Sequence, residues 1–175
     1  MNDHSRDTVR DLPPQDDKHV ELGNEYAIVQ SAIKLIGLAR RQVIIVVANF
    51  HPLLNQQDIA QALIDFITDS PKREAILLLN SLEDQKYNSH ALVRVAQRLS
   101  QVKLKQVSSL IEPPVKSESY LLISDRKHVL RIDNIDQQHG WLNLDNAPYA
   151  SPYVERILQQ WHTAQEIREF RQFLL

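Results

Sequence analysis

Apolar residues recur at spacings of three and four between residues 27 and 39: Ala27, Ile28, Ala32, Leu35, Ile36 and Ala39. That period predicts an amphipathic helix, and Asn24 can cap it. The pattern then changes. Gln42 to Ala48 (Gln-Val-Ile-Ile-Val-Val-Ala) is a continuous β-branched run, as expected of a strand covered on both faces. A second helix, started by Asn55 or Asp58, carries Ile59, Leu63, Phe66 and Ile67, and Pro71 ends it. Glu74 to Leu79 predicts a second buried strand. A third helix, capped by Asn88 or Ser89, carries Leu92, Val95 and Leu99. Val102 to Val107 predicts a third strand, more alternating and so more exposed. After Pro113-Pro114, Ser119 to Ile123 and His128 to Ile132 predict two strands of a hairpin turning at Asp125-Arg126-Lys127. A long last helix follows through Val154, Ile157, Leu158, Trp161, Ala164 and Ile167, with Pro152 in its first turn.

Strands alternating with helices predict an α/β domain with helices on both faces of the sheet. The hairpin makes that sheet mixed, with a largely parallel core. Residues 1–21 differ from the rest: they are Asp-rich, lack periodicity and contain Pro13-Pro14. They are expected to form a flexible acidic leader, ahead of a single domain over residues 22–175.

Composition narrows the function classes. Hydrophobic residues make up 43% of the 175, enough for a sizeable core. The absence of cysteine removes disulfides, a thiol nucleophile and thiolate metal sites. No apolar run approaches the ~20 residues that span a bilayer, and the N-terminus has no apolar signal core, so the expected location is the cytoplasm. The net charge is −2, but residues 1–21 hold six acids and three bases, or −3, which leaves +1 for the remainder. A nearly neutral body exerts no general pull on nucleic acid. Only a local basic patch would do so. No cofactor is expected: the three glycines are far apart, so there is no phosphate loop. No metal is expected either, because the seven histidines lack ligand spacing and the acidic segment Asp133-Asn134-Ile135-Asp136 lacks the glycine and final glutamate of a calcium loop.

The segment Glu118-Ser119-Tyr120-Leu121-Leu122-Ile123-Ser124-Asp125 resembles the strand that carries the His-x-Lys-x4-Asp motif of phospholipase D-like domains. Asp125 keeps its place, Tyr120 stands at the lysine position and Glu118 at the histidine position. The order of the preceding helices and strands, and the pair Tyr153 and Trp161 on the last helix, extend the likeness over roughly residues 24–165. Within that superfamily the chain looks closest to a poorly characterised bacterial branch. The resemblance implies a half-domain of the phospholipase D-like fold without its catalysis. In active members the histidine attacks phosphorus and the lysine helps hold the phosphate. Here a carboxylate would repel the diester, and a phenol brings no positive charge. The Gly-Ser-x-Asn region that follows the motif is also replaced, by Arg131-Ile132-Asp133-Asn134-Ile135. The expectation is a non-catalytic module that meets a protein partner or a second copy of itself through the face carrying Glu118 and Tyr120.

Two further sets of residues are candidates. Ligands of parallel α/β sheets sit at the carboxyl ends of strands, which here would gather Asn49, His51, Asn80, Ser81 and Ser108 beside Tyr120. The same residue types also make turns and caps there. Arg40, Arg41, Lys72 and Arg73 precede strands, so they share the opposite edge, where Lys103 and Lys105 can join them. That patch could face RNA or a nucleotide, or it could be a set of solvated helix ends. A divergent hydrolase using His51 or Glu118 as general base is the third reading. Trp141, Leu142 and Leu144, with Tyr149 and Tyr153, are either an interface or a cover over the sheet.

Overall fold

The computed structural model describes residues 18–48, 50–80, 89–107 and 119–167. In chain order the elements are β1 (His19–Leu22), α1 (Glu25–Leu38), β2 (Gln42–Val47), a 3₁₀ turn (Pro52–Leu54), α2 (Gln57–Thr68) and β3 (Glu74–Leu79). Then come α3 (Ala91–Arg98), β4 (Val102–Gln106), β5 (Tyr120–Ser124), β6 (His128–Asn134), β7 (His139–Asn143), α4 (Ala147–Thr163) and β8 (Gln165–Glu166). All eight strands join one sheet in the order β1-β7-β6-β5-β2-β3-β4-β8.

The β-branched run of β2 sits near the middle of that sheet, between β3 and β5. Val43, Ile45 and Val47 point to one face, where they pack with Ile28, Leu35 and Ile36 of α1, Ile59 and Leu63 of α2, and Leu92 of α3. Ile44 and Val46 point to the other face, against Val154, Ile157 and Trp161 of α4. The two-sided burial explains the absence of alternation in the sequence. It also gives the expected layers, with helices on both faces of a mixed sheet.

The expected balance of strand directions needs correction. Only β2–β3 and β3–β4 are parallel, and the other five pairings are antiparallel. Helical crossovers through α2 and α3 make the parallel pairs, whereas short turns make β5, β6 and β7 antiparallel neighbours. Residues 19–21, assigned above to the leader, form β1 at the sheet edge. Residues 1–17 lie outside the described part of the chain. The Trp141 cluster is core: Trp141 lies on β7 at 2% exposure, edge-on to Tyr149 at 5.1 Å. Gly140 is required beside it, because a Cβ there would meet the Arg131 carbonyl oxygen at 2.4 Å. The last helix begins earlier than Pro152 implied. Asn146 caps it, accepting from the Tyr149 N–H at 3.1 Å, and Pro152 is internal. Among the described residues no helix is long and apolar enough to cross a membrane.

Candidate functional site

The strand register divides the candidate residues between two ends of the sheet. Because β5 runs against β2, Val43 faces Ser124 and Val47 faces Tyr120. Asp125 therefore lies where β2 and β3 begin, and Tyr120 lies where they finish.

At the first end Asp125 acts as a clamp. Its carboxylate accepts the backbone N–H groups of Arg40 at 2.6 Å, Arg41 at 2.9 Å and Gln42 at 3.0 Å. Its own N–H donates to the Gln42 carbonyl at 3.0 Å. The hairpin is thereby fastened to the α1–β2 connection. Asp125 and Arg126 both have positive φ, 50° and 58°. Tight hairpins favour that conformation but non-glycine residues resist it, and the clamp offsets the cost. The position that keeps the motif's residue type thus has a structural use.

The basic residues at this end divide into two groups. Arg73 is committed: it pairs with Asp69 at 2.6 Å, donates to the Phe66 carbonyl at 3.1 Å and lies over the Phe66 ring. Lys103 pairs with Glu74 at 3.2 Å. Lys105 lies further along β4, donating to the Trp161 carbonyl with its ammonium 4.6 Å from the indole centroid. These three leave the expected patch. Arg40, Arg41 and Lys72 are exposed and make no side-chain hydrogen bond or ion pair among the described residues. Lys127, in the β5–β6 turn, is a fourth exposed cation at this end that sequence reasoning missed, and its charge also acts on the Asp145 carboxylate.

At the other end Tyr120 is buried to 1% exposure. Burial, aided by the charge of Asp136, pushes its phenol well above the usual tyrosine range, so it stays neutral. His51 meets Tyr120 edge-on, with ring centroids 6.4 Å apart. The His51 Nδ1 accepts the Leu53 N–H at 3.1 Å, capping the 3₁₀ turn, and its Nε2 faces the Asp136 carboxylate at 3.3 Å. His90 caps α3 in the same way, accepting from Leu92 at 3.3 Å while its Nε2 meets the His51 carbonyl at 3.3 Å. Burial lowers the His90 pKa to about 4 and keeps the ring neutral. Asn55 caps α3 too: its Oδ1 accepts from the Ala91 N–H at 2.6 Å. The Asn80 Oδ1 is buried and has no partner among the described residues.

The structure thus brings His51 and Tyr120 together as expected, with Asn80 at the same end. It adds His90, and it adds Asp136, which the sequence raised only as part of an acidic turn. The sequence offered Asn88 or Ser89 as the cap of α3, and the structure gives that place to His90. Glu118, Asn49, Ser81 and Ser108 lie outside the described residues. Among the described residues both His51 nitrogens have partners, and the charge that acts on the Tyr120 phenol is the negative one on Asp136. Arg131, further along β6, is bound to Asp133 at 2.8 Å and to the Tyr149 hydroxyl at 3.0 Å. Among the described residues no cluster of histidine and carboxylate side chains could hold a metal ion.

Residues 24–173 match the family model described as Domain of unknown function (DUF7931). The chain belongs to this family. No curated protein matches it by sequence. Among solved structures, the DUF7931 chain is similar to NucT from Helicobacter pylori, with a TM-score of 0.64 and 13% identity over 86% of this chain and 99% of that one. It is also similar to TrmBL2, described as an archaeal chromatin protein with a novel mode of DNA binding. There the TM-score is 0.61 with 9% identity, over 89% of this chain and 57% of TrmBL2. The DUF7931 chain therefore spans little more than half the length of TrmBL2. Identities this low establish a shared fold.

Proposed function

We propose that this DUF7931 domain is a phospholipase D-like scaffold that has lost phosphodiesterase chemistry and works by binding. One observation carries the reading: the side chain at the motif's lysine position, Tyr120, is a neutral phenol at 1% exposure, and the charge that acts on it is the carboxylate of Asp136. A diester needs a cation where its charge develops, and this site presents a carboxylate instead. The near-complete overlap with NucT supports the scaffold. The DNA binding described for TrmBL2 fits a binding role.

Burial of Tyr120 redirects the interaction reading. A residue at 1% exposure offers a partner almost no surface, so self-association through its side chain loses its contact. The hydrolase reading loses His51, whose two nitrogens are already engaged.

Incubation with bis(p-nitrophenyl) phosphate tests the proposal. Release of nitrophenol should match the buffer blank, for the native chain and for Tyr120→Lys. Turnover that scales with protein concentration and vanishes in His51→Gln would refute it.

A further inference from the structure

The strand ends that hold Asp125 carry a row of cations that the fold does not use. The β5–β6 turn, the start of β2 and the start of β3 are neighbours, because β6, β5, β2 and β3 are consecutive in the sheet. Lys127, then Arg40 and Arg41, then Lys72 follow one another along that edge. The backbone confirms the adjacency, since Asp125 binds the Arg40 and Arg41 N–H groups and the Glu74 N–H donates to the Arg41 carbonyl at 3.1 Å. With strands about 4.8 Å apart, the row spans roughly 14 Å.

The acids at this end are occupied. Asp69 holds Arg73, Glu74 holds Lys103, Glu155 holds Arg126 and Asp145 holds Lys18. Asp65, one turn back along α2, accepts from Gln61. The Asp125 carboxylate faces three backbone N–H groups. Four cations against the two carboxylates that lack a cationic partner, Asp65 and Asp125, leave a local excess of positive charge on a chain whose net charge is −2.

We infer that this edge binds the sugar–phosphate backbone of a nucleic acid. The inference rests on the binding-module reading above and names its partner. A row of about 14 Å matches roughly four phosphates at 3.4 Å per nucleotide of one strand. Arg40 and Arg41 are held at the backbone by the Asp125 clamp, so two of the four cations project from a fixed base. An anionic membrane is the poorer fit. Binding to its interface uses a broad apolar face beside the charge, and among the described residues the large apolar side chain exposed next to this row is Leu38 alone, at 41%.

A fluorescence-anisotropy titration of the full chain tests the inference, using a labelled single-stranded oligonucleotide, its duplex, and phosphatidylcholine vesicles with and without phosphatidylserine. Binding to the oligonucleotide should appear at low salt. Four phosphate contacts give a log–log salt slope of about −3, or roughly fifty-fold weaker binding between 50 and 200 mM salt. The combined variant Arg40→Gln, Arg41→Gln, Lys72→Gln and Lys127→Gln should bind at least about tenfold more weakly. The exposed controls Lys34→Gln with Arg94→Gln should bind like the native chain, and replacing Lys72 and Lys127 by arginine should preserve affinity. No binding at low salt, native affinity in the fourfold variant, or binding to phosphatidylserine vesicles in preference to the oligonucleotide would each overturn it. None of those results would restore phosphodiesterase turnover, so the two proposals fail separately.

Discussion

At the turn end of the sheet one carboxylate satisfies three backbone N–H groups, and four basic side chains remain in solvent. At the opposite end, where β2 and β3 finish, His51, His90 and Asn55 are turned inward as caps and Tyr120 is packed into the core. Both ends contain residue types associated with binding and catalysis. The difference lies in what each has left over. Capping and burial occupy the polar groups at one end, while backbone atoms alone occupy the clamp at the other and free the neighbouring side chains.

The sharpest way to break this comparison is at Tyr120. If its side chain is core, Tyr120→Ala should cost about 4 kcal/mol, as for other buried aromatics, and the urea midpoint should fall accordingly. An unchanged midpoint would make Tyr120 a surface residue and reopen that end as an interface. Asp125→Ala should come next, at about 3 kcal/mol, because several charge-assisted hydrogen bonds disappear together. Asp125→Asn should recover part of that loss, since an amide oxygen can still accept.

The histidine caps give a pH test. The folded-state pKa of His90 is lowered from 6.5 to about 4, so the unfolded chain binds the proton more readily. The stabilisation is complete above about pH 6.5 and is lost as pH falls towards 4, by at most about 3 kcal/mol. Melting temperature against pH should therefore decline over that window. His90→Asn, which keeps a capping oxygen, should flatten the decline. The smallest effect belongs to the row of cations. Replacing Arg40, Arg41, Lys72 and Lys127 by glutamine should shift stability by less than about 0.5 kcal/mol per site. A larger loss would mean that these side chains support the fold after all.

Much of the architecture was legible because its signals are local. The β-branched run of β2 and the period of α1 lie where their patterns placed them, and so does the hairpin at Asp125. The partners of each strand were less legible. β1 carries His and Glu in four residues, and β8 has only two residues, so neither shows a hydrophobic pattern. β7 looked like an aromatic cluster because Trp141 dominates it. The antiparallel pairings of β7 with β6 and β1, and of β5 with β2, depend on turns and register that hydrophobic periodicity does not encode. At the site, the sequence placed Arg40, Arg41 and Lys72 on one edge correctly, since residues before parallel strands must share an edge. Arg73 and Lys127 exchanged roles for reasons visible only in space: Asp69, the residue that closes α2, pairs with Arg73, and the hairpin returns Lys127 to the end of the sheet where β2 begins.

The two ends can be compared in one experiment. Amide hydrogen exchange of the full chain, with and without a single-stranded oligonucleotide at low salt, should show slowed exchange at residues 39–42, 71–74 and 125–128. Residues 51–55 and 134–138, around His51 and Asp136, should exchange unchanged. Protection confined to residues 51–55 and 134–138 would contradict the account, because it would place the ligand at the end where the motif begins.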